Sequence, residues 1–542
     1  MNRGCLTIVF GLLAAVVAPS VLAQSFHDAP ATAKNLLNPT SGSDAATAGA
    51  SVYATNCSGC HGNAGEGAAD GPTLKSNSVK QTSDGELFWF ITHGSPSNGM
   101  PAWERLPELQ RWQLVDFIRT MPSGEAAPTS QVTIATPSPN APFTDFRYES
   151  PGTVRKITVN DLPKPYATTS ANNGPRLVKR PDGIWPKTLP GFKVDLYIDG
   201  IAPPRLIRTA PNGDFFVAFS STGKIGVFRG FAADGKSQQA SAFVDGLDKP
   251  FGIAFYPPGS TPQWIYIGDT DAVLRIPYQN DDLQARARPE KVLDLPHGAG
   301  HWTRDIQFSP DGKWMYVSVG SASNIDDPDT TPAEHNRADI LIARPDGSDV
   351  HVYASGIRNA VGLAIQPETG DVWCSVNERD GLGDNLVPDY ITHVQSGGFY
   401  GWPWWYMGAH QDPRHEHKHP ELRTKTIVPD ILLQPHNASL QLTFYNGSQF
   451  PAEYRGDIFA SEHGSWNKST RAGYELIRVP LKQTGHATGE YEDFVTGFVL
   501  DNGDVWGRPV GVTVAKDGSL LVTDDGSNSI WHVSYVGGQS NQ

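Results

Sequence analysis

The chain has 542 residues, with 43 Lys and Arg against 57 Asp and Glu, a formal net charge of −14. No basic tract offsets that balance, which excludes a nucleic-acid partner, because the phosphates would be repelled at long range. A hydrophobic content of 39% with 14 Trp and 17 Tyr excludes global disorder, and 55 Gly with 43 Pro in no three-residue period exclude collagen and favour a loop-rich β protein.

Residues 1–23 read as an export signal. Arg3 supplies the positive end, Leu6 to Val17 the apolar run, and Val21-Leu22-Ala23 the small residues before a cut at Gln24. No later stretch approaches the roughly 18–20 apolar residues of a spanning helix. The expectation is a periplasmic or secreted protein with no transmembrane segment after signal removal.

Cys57-Ser58-Gly59-Cys60-His61 is the C-x-x-C-H attachment pattern for a covalent haem c. The spacing lets two thiols join the two vinyl groups of one porphyrin while His61 reaches the iron from the same face. A thioredoxin-like pair would want a neighbouring βαβ pattern, and these flanks read as helix or loop instead. Ala48–Asn56 leads into the motif as a short helix. Pro107–Thr120 is a second, with Leu114, Phe117 and Ile118 on one face. Between them Asn98-Gly99-Met100-Pro101 can present a thioether to the iron, a pairing that raises the haem potential. Met121 is the rival ligand, but it sits on an apolar helical face and reads as core. Residues 45–122 therefore resemble a class I c-type cytochrome, a small all-α domain that carries electrons. Cys57 and Cys60 are then its attachment points, and His61 and Met100 its iron ligands.

From Pro122 to Pro142 the chain turns Pro/Ser/Thr/Ala-rich, so 123–189 is expected to be a Pro-rich linker and extended connection. Beyond it a strand–turn–strand phrase recurs six times. The first strands are Leu206–Arg208, Gly252–Phe255, Asp305–Phe308, Gly362–Ile365, Leu440–Phe444 and Gly511–Val514. Their partners are Phe215–Phe219, Trp264–Ile267, Met315–Val319, Val372–Val376, Ile458–Ala460 and Leu520–Thr523. Asn-Gly and Asp-Gly turns between alternating runs are strong hairpin signals. Six such units predict an all-β six-bladed propeller over 190–537, with an inserted loop in the longer gap between units four and five. Cys374, inside the alternating run Val372–Val376, reads as a free buried thiol.

In a propeller the innermost strands line the channel, so residues entering them converge at one mouth. Those entrances are Pro204-Arg205, Lys249-Pro250, His301-Trp302-Thr303-Arg304, Arg358-Asn359, Asn437-Ala438-Ser439 and Arg508-Pro509. Arginines recurring at equivalent positions of an acidic chain point to a cationic funnel for an anionic ligand.

Five stretches carry a resemblance: His301-Trp302-Thr303-Arg304-Asp305, Gly356-Ile357-Arg358-Asn359, Asn377-Glu378-Arg379-Asp380-Gly381 with Gly397–Pro403, Glu462-His463-Gly464-Ser465-Trp466-Asn467, and Gly507-Arg508-Pro509-Val510-Gly511. With them, about 190–535 resembles the glucose/sorbosone dehydrogenase family, six-bladed propellers that use pyrroloquinoline quinone (PQQ) and calcium, and looks closest to its sorbosone-dehydrogenase-like branch. The resemblance implies that His301 is the general base and that Arg358 stabilises charge on the reduced quinone, with Asn359 beside it. It also implies that Arg205, Arg508, Lys468 and Arg471 hold the PQQ carboxylates, and Arg304 and Trp466 join that cofactor set. Calcium would sit on backbone oxygens near Asp380 and Gly381, although Arg379-Asp380-Gly381-Leu382 stands where simpler members carry Gly-Pro. His297 is the rival base, and His463 a further cofactor contact. The Trp404–His419 stretch either stacks sugar rings or forms a packed lid.

The reading is a multidomain quinohaemoprotein sugar dehydrogenase. It takes electrons from an aldose or sorbosone-like sugar through PQQ and the fused haem to a periplasmic acceptor. The alternatives are a cytochrome-fused propeller nitrite reductase, which needs eight blades, and a calcium-dependent sugar lactonase or binding propeller.

Overall fold

The structure is a computed structural model that describes residues 29–40, 42–62, 64–65, 73–94, 100, 102–104, 106–121, 142–232, 235–296, 298, 300–482 and 485–537. The export signal, Asn98, Gly99, Pro101, residues 123–141 and His297 lie outside them, as does the side chain of Cys60. The chain divides into two compact units, residues 1–132 and 133–542.

The first unit is helical. Helix α1 (Ser43–Asn56) runs into the one-turn α2 (Ser58–His61), followed by α3 (Asn77–Gln81), α4 (Asp84–His93) and α5 (Glu108–Thr120). Helix α4 opens on a reciprocal capping box, in which the Ser83 hydroxyl accepts from the Glu86 N–H and the Glu86 carboxylate accepts from the Ser83 N–H. Tyr53, Leu87, Ile91, Trp112, Leu114, Val115, Ile118 and Met121 form the core, with Cys57 packed against it. Met121 is thus the core residue the sequence suggested. Helices α1 and α5 cross closely at Gly49, where a Cβ would stand 1.9 Å from the Gln113 carbonyl oxygen. Among the described residues no helix is long and apolar enough to cross a membrane.

The second unit is the propeller. Among the described residues six sheets have at least four strands, which removes the eight-bladed nitrite-reductase reading. The innermost strands are Ile207–Thr209, Gly252–Tyr256, Ile306–Phe308, Ala360–Ile365, Ser439–Phe444 and Pro509–Val514, and each pairs antiparallel with the strand after its turn. Gly213 and Gly518 take φ of +100° and +89° in those turns, a region open to glycine at no steric cost. The ring closes when Phe192–Ile198, from the start of the unit, becomes the fourth strand of the last blade beside Ser529–Tyr535. Large side chains fill the seams between blades, among them Phe216, Phe251 and Ile265 in one and Trp373, Leu442 and Tyr491 in another. Cys374 is fully buried and free, and burial pushes its thiol up. The insertion expected in the gap after the fourth hairpin lies inside the fourth blade, between its strands Pro388–His393 and Ile431–Pro435, and carries the short hairpin Trp405–Tyr406 and His410–Gln411.

The described part of the connection, 142–189, is built onto the propeller. Val154–Lys156 and Lys187–Thr188 both pair with Glu490–Thr496 and widen the fifth blade. Arg155 is buried on Asp493 through two bonds of 2.9 Å.

Candidate active site

A cleft of about 450 Å3 opens where the inner strands begin, walled by Arg205, His301, Trp302, Asn359, Ala438, His463, Trp466 and Arg508 among others. Five of the six strand entrances therefore converge as the repeat implied, and the Lys249 entrance does not reach the wall.

His301 sits half-buried in this wall, its Nδ1 2.9 Å from the Ser321 carbonyl oxygen. A carbonyl can only accept, so that contact assigns the proton to Nδ1 and leaves Nε2 as an acceptor for the cleft. Burial and then the Arg358 charge push the imidazole down to about 3, so it stays neutral.

Opposite lies a chain of charge. Arg205 Nη1 donates to Asp525 Oδ2 at 2.6 Å, His463 Nε2 is 2.8 Å from Asp525 Oδ1, and Arg508 Nη2 is 3.0 Å from His463 Nδ1. Arginine can only donate, so His463 accepts at Nδ1 and donates from Nε2. Both its nitrogens are engaged, and it has no free lone pair for proton abstraction. Burial and Arg508 lower His463 to about 4. Burial alone would raise the Asp525 carboxyl, but His463 and the two arginines outweigh it and hold it well below the carboxylate range. Two arginines against one carboxylate leave this wall cationic.

Four buried polar atoms of the cleft-lining residues have no protein partner: Arg205 Nε, Arg508 Nε, Asn359 Oδ1 and Thr303 Oγ1. Such atoms are costly unless a ligand or water meets them. Two guanidinium groups with free edges fit a planar polycarboxylate such as PQQ.

Several expected contacts are corrected. Arg304 is fully buried, and its guanidinium donates to the main-chain oxygens of Pro296, His301 and Thr303. It props the loop behind His301 and does not enter the cleft. Arg471 donates to the carbonyls of Asn173, Gly174 and Gly503. Lys468 does not line the cleft; its ammonium is buried without a protein partner, and burial lowers it to about 8. Arg358 lies behind the wall, donating to the carbonyls of Asn324 and Glu378 and to Asn324 Oδ1. What it offers His301 and the cleft is charge, with its donors already engaged.

The calcium expectation is corrected in its ligands. The Asp380 carbonyl oxygen already accepts from Arg414 Nη1 at 2.7 Å and Asn324 Nδ2 at 3.1 Å. The Asp380 carboxylate accepts from Asn467 and has Arg358 and His436 at 3.5 Å. Gly381, at φ +91°, has the Arg414 guanidinium against it. A loop closed by N–H donors does not offer a hard cation free oxygens, and among the described residues no three Cys, His or acidic groups are arranged to hold a metal ion.

The residues missed from sequence belong to no motif. Asp525 links Arg205 to His463, Ser321 fixes the His301 tautomer, and Asn324 holds both Arg358 and the Asp380 backbone. At Gly320 a Cβ would stand 2.3 Å from Asn359 Oδ1 and 2.7 Å from His301 Cβ. Gly320→Ala is therefore expected to displace both cleft residues and lower kcat/KM by about 100-fold, the scale of a misplacement near 1 Å. Steady-state kinetics on a variant of unchanged melting temperature checks this.

In the helical unit, the single turn α2 places Cys57 and His61 one turn apart, with the His61 N–H donating to the Cys57 carbonyl at 2.9 Å. Tyr53 Oη donates to the Gly62 carbonyl at 2.6 Å and pins the chain after the motif. Residues i and i+4 of a helix share a face, so a thiol and an imidazole presented this way fit a covalent haem.

Known proteins agree with both halves. Residues 44–118 match the family model described as cytochrome C oxidase, cbb3-type, subunit III, and residues 186–393 and 406–536 match the model described as TrAA12-like. A pyrroloquinoline quinone-dependent pyranose dehydrogenase of Coprinopsis cinerea is 24% identical over 413 residues, covering 64% of this chain and 54%, about half, of that protein. An uncharacterized protein of Borreliella burgdorferi is 28% identical over 357 residues, covering 64% of this chain and 89% of its own length. The holo PQQ domain of the Coprinopsis cinerea pyranose dehydrogenase superposes with a TM-score of 0.55 at 20% identity, over 66% of this chain and 98% of that one. The calcium structure of the Trichoderma reesei AA12 enzyme does so with a TM-score of 0.56 at 18% identity, over 65% and 97%. The chain belongs to the TrAA12-like family, a propeller of the PQQ-dependent sugar dehydrogenase type fused behind a c-type cytochrome domain.

Proposed function

We propose that the protein is an exported quinohaemoprotein sugar dehydrogenase, oxidising a CH–OH group of an aldose or sorbosone-like pyranose and delivering the electrons to a periplasmic acceptor. The observation that carries this reading is one neutral imidazole with a free Nε2 facing two guanidinium groups whose Nε atoms lack partners. When bound, PQQ supplies a two-electron acceptor for the sugar and haem c a one-electron carrier.

The protein's own residues do the rest. Arg205 and Arg508 would hold the anionic cofactor by charge-assisted bonds, and Asn359 Oδ1 would accept from a hydroxyl or N–H of what binds beside them. His301 Nε2 is placed to accept the sugar hydroxyl proton, and the hydride from the same carbon, two electrons with one proton, would go to PQQ as the two-electron acceptor, leaving a carbonyl product. Arg358 places a fixed positive charge behind that centre, which favours negative charge developing in the cleft. Cys57 and Cys60 would attach the haem, and His61 and Met100 would serve as its iron ligands. Calcium takes part in no step derived from this chain's residues.

The test is reconstitution of the full chain with PQQ and calcium, followed by a screen of aldoses without oxygen while the haem spectrum is recorded. Haem reduction by sugar that requires PQQ is the expected result. A haem that dithionite reduces but no sugar reduces would overturn the reading.

A further inference from the structure

The segment that joins the two units in sequence lies before residue 186, where the propeller family match begins, yet it is stitched to the loops of three blades. The Tyr166 N–H donates to the Leu382 carbonyl at 2.9 Å, and Thr168 Oγ1 and Ser170 Oγ accept from Asp384 and Gly383. Further on, Val505 and Arg176–Val178 exchange main-chain bonds of 2.8 and 3.0 Å. Between these anchors stands Asn173. Its N–H donates to the Trp466 carbonyl at 2.6 Å, and its Nδ2 to the carbonyls of Lys468 and Ser469 at 3.2 and 3.1 Å. Its own carbonyl accepts from Arg471 Nη1 at 2.6 Å. One residue thus fixes three carbonyls of the turn that carries Trp466.

Trp466 is the member of the cleft wall that this turn delivers, and it stands 42% exposed at the rim. Its neighbour Asn467 donates to the Asp380 carboxylate beside Arg358. The base of the turn is closed separately, by Ser465 and Ala472 through bonds of 2.9 and 3.0 Å and by Tyr474 Oη on the Ser465 carbonyl at 2.6 Å, whereas at its tip the Ser469 N–H donates to Asp384 at 3.0 Å, in the loop the same segment grips. Removing the Asn173 side chain releases the Lys468 and Ser469 carbonyls while the Trp466 carbonyl keeps its main-chain bond, so the tip of the turn beside the indole loosens while His301, Arg205 and Arg508 stay in place.

We propose that residues 166–178 are a strap that forms part of the active-site rim, with Asn173 a positioning residue that holds Trp466 against the bound sugar ring. The sugar part of this statement rests on the dehydrogenase reading above. Asn173→Ala removes two side-chain bonds and keeps the main-chain ones, so the fold survives. In the PQQ-loaded full chain, KM for the reducing sugar is expected to rise about 5- to 20-fold, on the scale of one or two hydrogen bonds, with kcat within 2-fold. Trp466→Ala alone should raise KM similarly, and adding Asn173→Ala to it should change nothing more, because the residue acts through Trp466.

Hydrogen exchange reads the strap without any activity: the amides of 466–471 should lose protection in Asn173→Ala while those of the inner strands keep theirs. Unchanged exchange in that segment, or an Asn173→Ala effect that persists in full on the Trp466→Ala background, would overturn the proposal. If the wild-type chain shows no sugar-driven haem reduction, the dehydrogenase reading fails, and the exchange experiment alone decides whether the strap holds the rim.

Discussion

Replacing His301 with alanine is expected to lower sugar-driven haem reduction by roughly 10²- to 10⁴-fold, the usual contribution of a positioned general base. The haem spectrum itself should not change, since the residue belongs to the propeller unit. His463 cannot substitute, because Arg508 and Asp525 engage both its ring nitrogens. The pH profile tests the same assignment. Burial and then Arg358 hold the His301 imidazole down at about 3, well below the ordinary histidine value of about 6.5. A depressed pKa means that the base form persists as pH falls, so kcat/KM, which reports the free enzyme, should show no inflection near 6.5. An acid limb centred there in the wild type and absent from a His301 variant would contradict the assignment.

Glu462→Gln is expected to stabilise the propeller in mildly alkaline solution. Ser439, Glu462 and Glu475 stand opposite one another across three adjacent strands of the fifth blade, fully buried. The Ser439 hydroxyl donates to Glu462 Oε1 at 2.7 Å, while Oε2 of each glutamate has no protein partner. Burial raises Glu462 to about 8 and lifts Glu475 well above its ordinary value. A carboxyl whose folded pKa is raised binds more protons in the native state than in the unfolded state between the two values. Its contribution is therefore complete below about 4.5 and is lost as pH climbs towards about 8. At about 1.4 kcal/mol per unit of pKa, that loss approaches 3 to 5 kcal/mol. Glutamine mimics the protonated acid and keeps the oxygen that Ser439 bonds. Thermal melts at pH 5 and pH 8 should show the variant equal to wild type at the first and clearly more stable at the second. Parallel pH dependences would contradict the account.

The blades were legible because their signals are local. An Asn-Gly or Asp-Gly turn between alternating runs needs no distant partner, as at Asn212-Gly213, Asp311-Gly312 and Asp517-Gly518, and all six inner hairpins formed where the strand–turn–strand phrase put them. The cleft was legible where the repeat put residues at equivalent entrances, as for Arg205, His301, Asn359 and Arg508. Arg304 shows the limit of that logic. A guanidinium that satisfies three buried carbonyls and one that grips a ligand look identical in sequence, and only the direction of the side chain separates them. Arg471 went elsewhere for a related reason, since two of the three carbonyls it satisfies, those of Asn173 and Gly174, lie in 142–189. That segment was read as a connection from its composition. Its attachment depends on hydrogen bonds such as those of Asn173 and on the buried Arg155–Asp493 pair, 338 residues apart, which no periodicity announces. Gly320 and Asp525 were invisible for the same cause: each matters through a contact formed only when blades close into a ring.

The cationic cleft is the centre of this account, and titration of PQQ into the full chain by calorimetry tests it most directly. One molecule should bind per chain, with affinity falling as salt is raised, and Arg508→Ala should weaken it by about 10- to 100-fold, the scale of a charge-assisted bond. Failure of PQQ to bind, or binding that Arg205→Ala and Arg508→Ala leave untouched, would contradict it.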